Sequence, residues 1–192
     1  RPINWDICTS ALPPDIILLF DDRNGFSAIP QVNDYSTIQL IYQGENYKVN
    51  SFRTGEEHRF SDDIKEELAH SDFTINSMAY NEREGLIDLF GGAADIEKKI
   101  IKCVGDSIDK LAEDSVRILR AVRFEAQLGF VMDAPLLQLI QSQRDMIKFD
   151  NSEKLCNELT QILLTEQPSV SIRRLLELDL LHRREADDEH EE

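Results

Sequence analysis

Residues 113–124 read EDSVRILRAVRF, with acids at Glu113 and Asp114 and arginines at Arg117, Arg120 and Arg123. On a helix, residues three and four apart share a face, so either acid can grip Arg117, and Arg120 and Arg123 continue the stripe on adjoining turns. Val116, Leu119, Val122 and Phe124 are left for packing. Two readings stay open. The stripe is a solvent-facing helix laced with ion pairs, or it is a rigid row at a buried edge. In the second case an Asp and an Arg accept from and donate to a base edge while the other arginines meet phosphates.

A second stretch, NWDICTS, lies near the start of the chain. In a strand, residues i and i+2 point to the same face. Two acids so placed would hold Mg²⁺ for phosphoryl transfer. Here the places are Asn4 and Asp6, and only one is an acid. In HSDFTINSMAYN, where DFTINSMAY reads as a buried helix, Asp72 and Asn76 fall one turn apart. Gly91-Gly92 permit a tight turn or a close backbone approach. Taken locally, each of these features reads as structural.

The elements that must position these residues change character along the chain. STIQLIY and YKVNSF flank QGEN as a hairpin of β-branched and aromatic runs around a polar turn. NWDICTSA, GLIDLF and IIKCV read as strands, and DIILLF and SDDIKEELAHSD as helices. After Gly105 only helices are expected, over 113–128, 134–148, 151–165 and 169–181, with a breaker at Pro168. The fold class is α+β, with a mixed part at 1–104, a helical part at 105–183 and an acidic tail at 184–192.

The formal net charge is −16, and six acids between Glu185 and Glu192 account for part of it. So acidic a chain gains little by neutralising phosphates, which weakens any grip on long nucleic acid. No apolar run approaches the roughly 20 residues needed to span a bilayer, so no membrane partner is expected. Cys8, Cys103 and Cys156 are scattered and odd in number, which points to a reducing compartment, cytoplasm or organelle matrix, rather than a disulfide framework. The opening RPINWD has neither Met nor a signal-peptide pattern, so the chain reads as a fragment or as one whose start is missing.

Taken together, WDICTSALP, YKVNSFR, DFTINSMAYN, GLIDLFGGAADIEKKIIKCVGD and EDSVRILRAVRFEAQLGF resemble, in order, motifs of the bacterial-type tRNA nucleotidyltransferase (CCA-adding enzyme) and poly(A) polymerase family. The resemblance covers about residues 2–182 and implies a polymerase-β-like head, a small mixed sheet, followed by an all-α neck. It implies that Asp114 and Arg117 pair with the base edge of CTP or ATP, and that Glu113, Arg120 and Arg123 support the pocket. It places Asp72 and Asn76 at the nucleotide's sugar and phosphates, and Arg53 at the end of the strand motif. It implies Mg²⁺ as cofactor, with Asp6 as metal ligand, and tRNA as partner.

This sequence also departs from the family pattern. Asn4 and Lys48 stand where carboxylates are expected, and His70-Ser71 replace two arginines before Asp72. The family's phosphate-binding Gly-Gly segment is not within these residues. Two functions from different classes follow. One is an enzyme adding C or A to tRNA 3′ ends. The other is a non-catalytic relative that keeps the nucleotide-pocket helix and serves with a protein partner in a larger assembly. The intact stripe argues against a scaffold with no ligand.

Overall fold

The computed structural model describes residues 6–20, 25–31, 34–55, 59–143 and 152–181; Asn4 and the acidic tail at 184–192 lie outside the described residues. The fold is α+β, and the chain divides into two compact units, Arg1–Ser71 and Asp72–Glu192.

The first unit is built on a four-stranded sheet of order β1-β4-β3-β2. Its strands are β1 (Asp6–Thr9), β2 (Phe26–Gln31), β3 (Asp34–Tyr42) and β4 (Glu45–Ser51). The expected hairpin is β3–β4, closed where Tyr42 pairs with Glu45. Its two loop residues, Gln43 and Gly44, have φ of 51° and 82°. Positive φ at both is the primed turn whose twist suits a two-residue hairpin. Strand β1 runs parallel to β4. Helix α1 (Pro13–Leu19) opens on two prolines, which cost nothing where backbone N–H groups lack helical partners anyway. Its Ile16 closes a small core with Ile38, Leu40 and Val49. Helix α2 (Ile64–Ala69) is capped by the Asp63 carboxylate, which accepts the Lys65 N–H at 2.8 Å.

Strand β2 is absent from the sequence expectation. Its FSAIPQ carries a proline, which marks against a central strand. The structure places it at a sheet edge, where the register shifts between Pro30 and Gln31.

At the start of the second unit, DFTINSMAY is not the buried helix its sequence predicts. It is a single 3₁₀ turn, Thr74–Asn76, followed by strand β5 (Met78–Asn81). Long-range pairing overrides the helical pattern: Phe73 bridges to Cys103, and the Thr74 N–H donates to the Lys102 carbonyl at 2.9 Å. Strand β5 then pairs with β6 (Gly85–Asp88). Asn81 shapes the connection by accepting the Arg83 and Glu84 N–H groups.

Helix α3 (Gly92–Lys98) leads to β7 (Ile100–Ile101), which pairs in parallel with β8 (Val131–Met132). Helices α4 (Ser107–Glu113), α5 (Arg117–Leu128), α6 (Ala134–Gln143), α7 (Ser152–Leu163) and α8 (Pro168–Glu177) complete the unit. Pro168 starts α8 rather than simply ending what precedes it. Phe73, Ile101 and Cys103 share one core with Ile118, Val122, Leu136, Ile140, Ile162 and Leu175. The change from strands to helices near residue 104 therefore falls inside a single packed core. Among the described residues, no helix is long and apolar enough to cross a membrane.

Candidate functional site

The expected helix over 113–128 is broken at Asp114. There α4 ends in extended backbone, with φ −155° and ψ 98°, before α5 begins. The break is held by Asp114 itself: its Oδ1 accepts the Val116 N–H at 3.1 Å. An Asp that bonds the backbone two residues on competes with continuous helix and fixes a turn. Its Oδ2 accepts from Lys154 Nζ of α7 at 3.0 Å. Burial opposes charge on this carboxyl, but Lys154, the Val116 N–H and Arg117 outweigh it and hold the group below the usual carboxylate range.

From Arg117 onward the arginines form a ladder. Arg117 Nε donates to Asp72 Oδ1 at 2.6 Å, and its Nη1 donates to Glu113 Oε2 at 2.9 Å and to the Lys110 carbonyl. Arg120 Nη1 donates to Asp72 Oδ2, and its Nε to Glu158 Oε2 at 3.4 Å. Arg123 Nε donates to Glu158 Oε1, and its Nη1 to Gln127 at 2.9 Å. The Arg123 guanidinium also lies 4.5 Å from the centre of the Phe124 ring. Arg117 is only 9% exposed and Glu158 only 6%. Burial works against the charge of Arg117 and Arg120, but Asp72, with Glu113 and Glu158, raises both pKa values. The stripe is thus the rigid, buried-edge kind.

Asp6 and Lys48 are register partners on β1 and β4, so their side chains share a sheet face. They line a cleft of about 400 Å³ together with Asp34, Thr37, Gln39 and Asn46. Arg53 lies just beyond β4. Its Nε and Nη2 donate to the two Glu67 oxygens at 3.2 Å, and its backbone N–H donates to Glu67 at 3.0 Å. The His70 ring meets the Arg53 carbonyl at 3.3 Å. Asn76 is exposed at the end of the 3₁₀ turn.

The glycine pair does both things its sequence allows. Gly91 takes φ of 79°, and a Cβ on Gly92 would stand 2.2 Å from the Thr74 carbonyl oxygen. Asp88 draws the loop closed by accepting the Gly92 and Ala93 N–H groups at 2.8 and 2.9 Å.

Within the second unit the structure brings together Asp72, Asp114, Arg117, Arg120 and Arg123; within the first, Asp6 and Lys48 share a cleft and Arg53 is held by Glu67. Sequence reasoning missed Glu158 and Lys154. The signal was present: Glu158 occupies an inward slot between Leu155, Leu159 and Ile162, and an acid on an apolar stripe calls for a buried cation.

A small mixed sheet followed by helices carrying the acid-and-arginine ladder matches the head-and-neck fold of solved CCA-adding enzymes. The family described as Poly A polymerase head domain matches residues 1–102. A CCA-adding enzyme of Staphylococcus haemolyticus is 33% identical over 92% of this chain and 45% of its own length. The crystal structure of Bacillus stearothermophilus CCA-adding enzyme in complex with CTP superposes with a TM-score of 0.83 at 31% identity, covering 94% of this chain and 45% of that one. A complex of CCA-adding enzyme with ATP gives a TM-score of 0.80 at 26% identity, over 94% of this chain and 43% of that one. The chain belongs to the tRNA nucleotidyltransferase and poly(A) polymerase family. It spans a little under half the length of these relatives.

Proposed function

We propose that this chain binds CTP and ATP and selects them with Asp114 and Arg117, as the base-reading part of a tRNA nucleotidyltransferase-family protein. The supporting observation is the state of these two groups. Asp114 is an ionised acceptor held in place from two sides. Arg117 has Nε and Nη1 committed to Asp72, Glu113 and Lys110, and its Nη2 has no partner among the described residues. Cytosine and adenine each present an amino donor beside a ring-nitrogen acceptor. An Asp acceptor beside an Arg donor matches that edge, whereas uracil and guanine present the reverse pattern. By family position Asp72 and Asn76 meet the sugar and phosphates, and Glu113, Arg120 and Arg123 support the pocket.

Members of this family depend on metal, and Mg²⁺ is the ion we assign to it. The described residues do not fit it well. Mg²⁺ is held by carboxylates and substrate phosphates. Here one carboxylate, Asp6, has the basic residue Lys48 as its register partner, and the cleft around them offers the neutral amides Gln39 and Asn46. Asp34, the other acid of the cleft, already accepts from the Ser36 N–H, the Ser36 hydroxyl and the Thr37 hydroxyl. We therefore assign nucleotide reading to this chain and no metal-dependent transfer step.

A second reading, addition of C and A to tRNA 3′ ends, is favoured by the likeness to CCA-adding enzymes. The two separate in an incorporation assay with labelled CTP and ATP, tRNA and Mg²⁺: little or no incorporation is expected, and robust turnover would establish the second. Reading itself is tested by Asp114→Asn, whose amide can donate to a carbonyl. CTP affinity is expected to fall about tenfold, with UTP gaining relative to CTP. An unchanged order of affinities would refute the role of Asp114.

A further inference from the structure

Helix α7 carries Lys154 and Glu158 one turn apart, and the two reach opposite poles of the reader. Glu158 takes the Nε hydrogens of Arg120 and Arg123. Lys154 takes Asp114, with Nζ 3.0 Å from Oδ2, while the other Asp114 oxygen accepts the Val116 N–H at 3.1 Å. A carboxylate held at one oxygen still turns about its last, softly restrained torsion. Held at both oxygens, its plane is fixed. Each oxygen nonetheless keeps a second lone pair for a ligand. Lys154 thus orients Asp114 without consuming it.

The exposures differ in an informative way. The Asp114 side chain is 15% exposed and the Lys154 side chain 55%. An ion pair with one partner this open adds little to fold stability. Its effect falls on the direction of a single acceptor.

We infer that Lys154 is a positioning and specificity-determining residue. It fixes the plane of the Asp114 carboxylate so that the remaining lone pair accepts the exocyclic amino group of cytosine or adenine and turns away a carbonyl. This rests on the assignment of Asp114 and Arg117 as the base reader. It goes further by making discrimination depend on a residue that need not touch the base. It also makes α7 the common backing of both poles, through Lys154 for the acceptor and Glu158 for the arginines.

The test titrates CTP, ATP, UTP and GTP into the wild-type, Lys154→Met and Lys154→Arg chains at one pH and salt, with thermal melting alongside. The wild type is expected to prefer CTP and ATP. Lys154→Met should melt within about 2 °C of it and lose roughly fivefold of that preference. Lys154→Arg, which restores a cationic donor, should recover it. A preference fully kept in Lys154→Met overturns the inference and leaves Asp114 and Arg117 as the reader. No preference in the wild type overturns the reading and the inference with it. A large fall in melting temperature in both variants marks Lys154 as a residue of the fold and also overturns the inference.

Discussion

Truncating Glu158 to Ala removes the carboxylate that takes the Nε hydrogens of Arg120 and Arg123 from a side chain only 8% exposed. Breaking a buried pair from one side leaves charge uncompensated, so a loss of roughly 3 kcal/mol is expected in urea denaturation. Glu158→Gln, which keeps an acceptor, should lose less. Asp114 predicts a pH effect. Its folded pKa lies below the unfolded value of about 3.9. Its contribution to stability is therefore complete above that value and is lost as pH falls through the folded pKa. The stability gap between wild type and Asp114→Asn should shrink below about pH 4 in urea midpoints taken across an acid series; a constant gap would show that the ion pair and the Val116 turn do not matter to the charged form. Much of this was legible: spacing alone put Arg117 within reach of an acid four residues back, and Glu113 fills that place. Its stronger partner, Asp72, lies 45 positions away, beyond the reach of any periodicity.

The loop between β6 and α3 depends on backbone space. Gly92→Ala forces a Cβ against the Thr74 carbonyl, a backbone atom that cannot swing aside. A loss of about 3 kcal/mol or more is expected, read from the denaturation midpoint. At Gly91 the cost is only that of positive φ, about 1–2 kcal/mol for Ala. Equal losses at the two positions would contradict the close approach. Elements whose signal is local were readable in advance: the β3–β4 hairpin from its turn and its alternating runs, and α7 and α8 from their apolar stripes. The elements that long-range pairing decides were not. Residues 74–81 carry a pattern compatible with helix, but Phe73 bridges to Cys103 and Met78–Asn81 pairs with β6. The break at Asp114 was hidden for a related reason, because helix propensity over 113–128 is good and a single side chain interrupts it.

Across the whole molecule, the proposed base reading and the degenerate metal positions rest on different residues and should respond to different changes. Asn4→Asp with Lys48→Glu would put acids at both degenerate positions, position 48 being the register partner of Asp6. Mg²⁺ binding measured by calorimetry should appear in that variant; equal binding by both chains would show that Lys48 does not govern the site. With a net charge of −16, affinity of the chain for tRNA should be weak. The most direct measurement is a titration of the four nucleotides into the wild-type chain, first in EDTA and then in Mg²⁺. CTP and ATP are expected to bind about tenfold more tightly than UTP and GTP in EDTA, with Mg²⁺ changing this order little. Binding or preference that arises only when Mg²⁺ is added would contradict this reading.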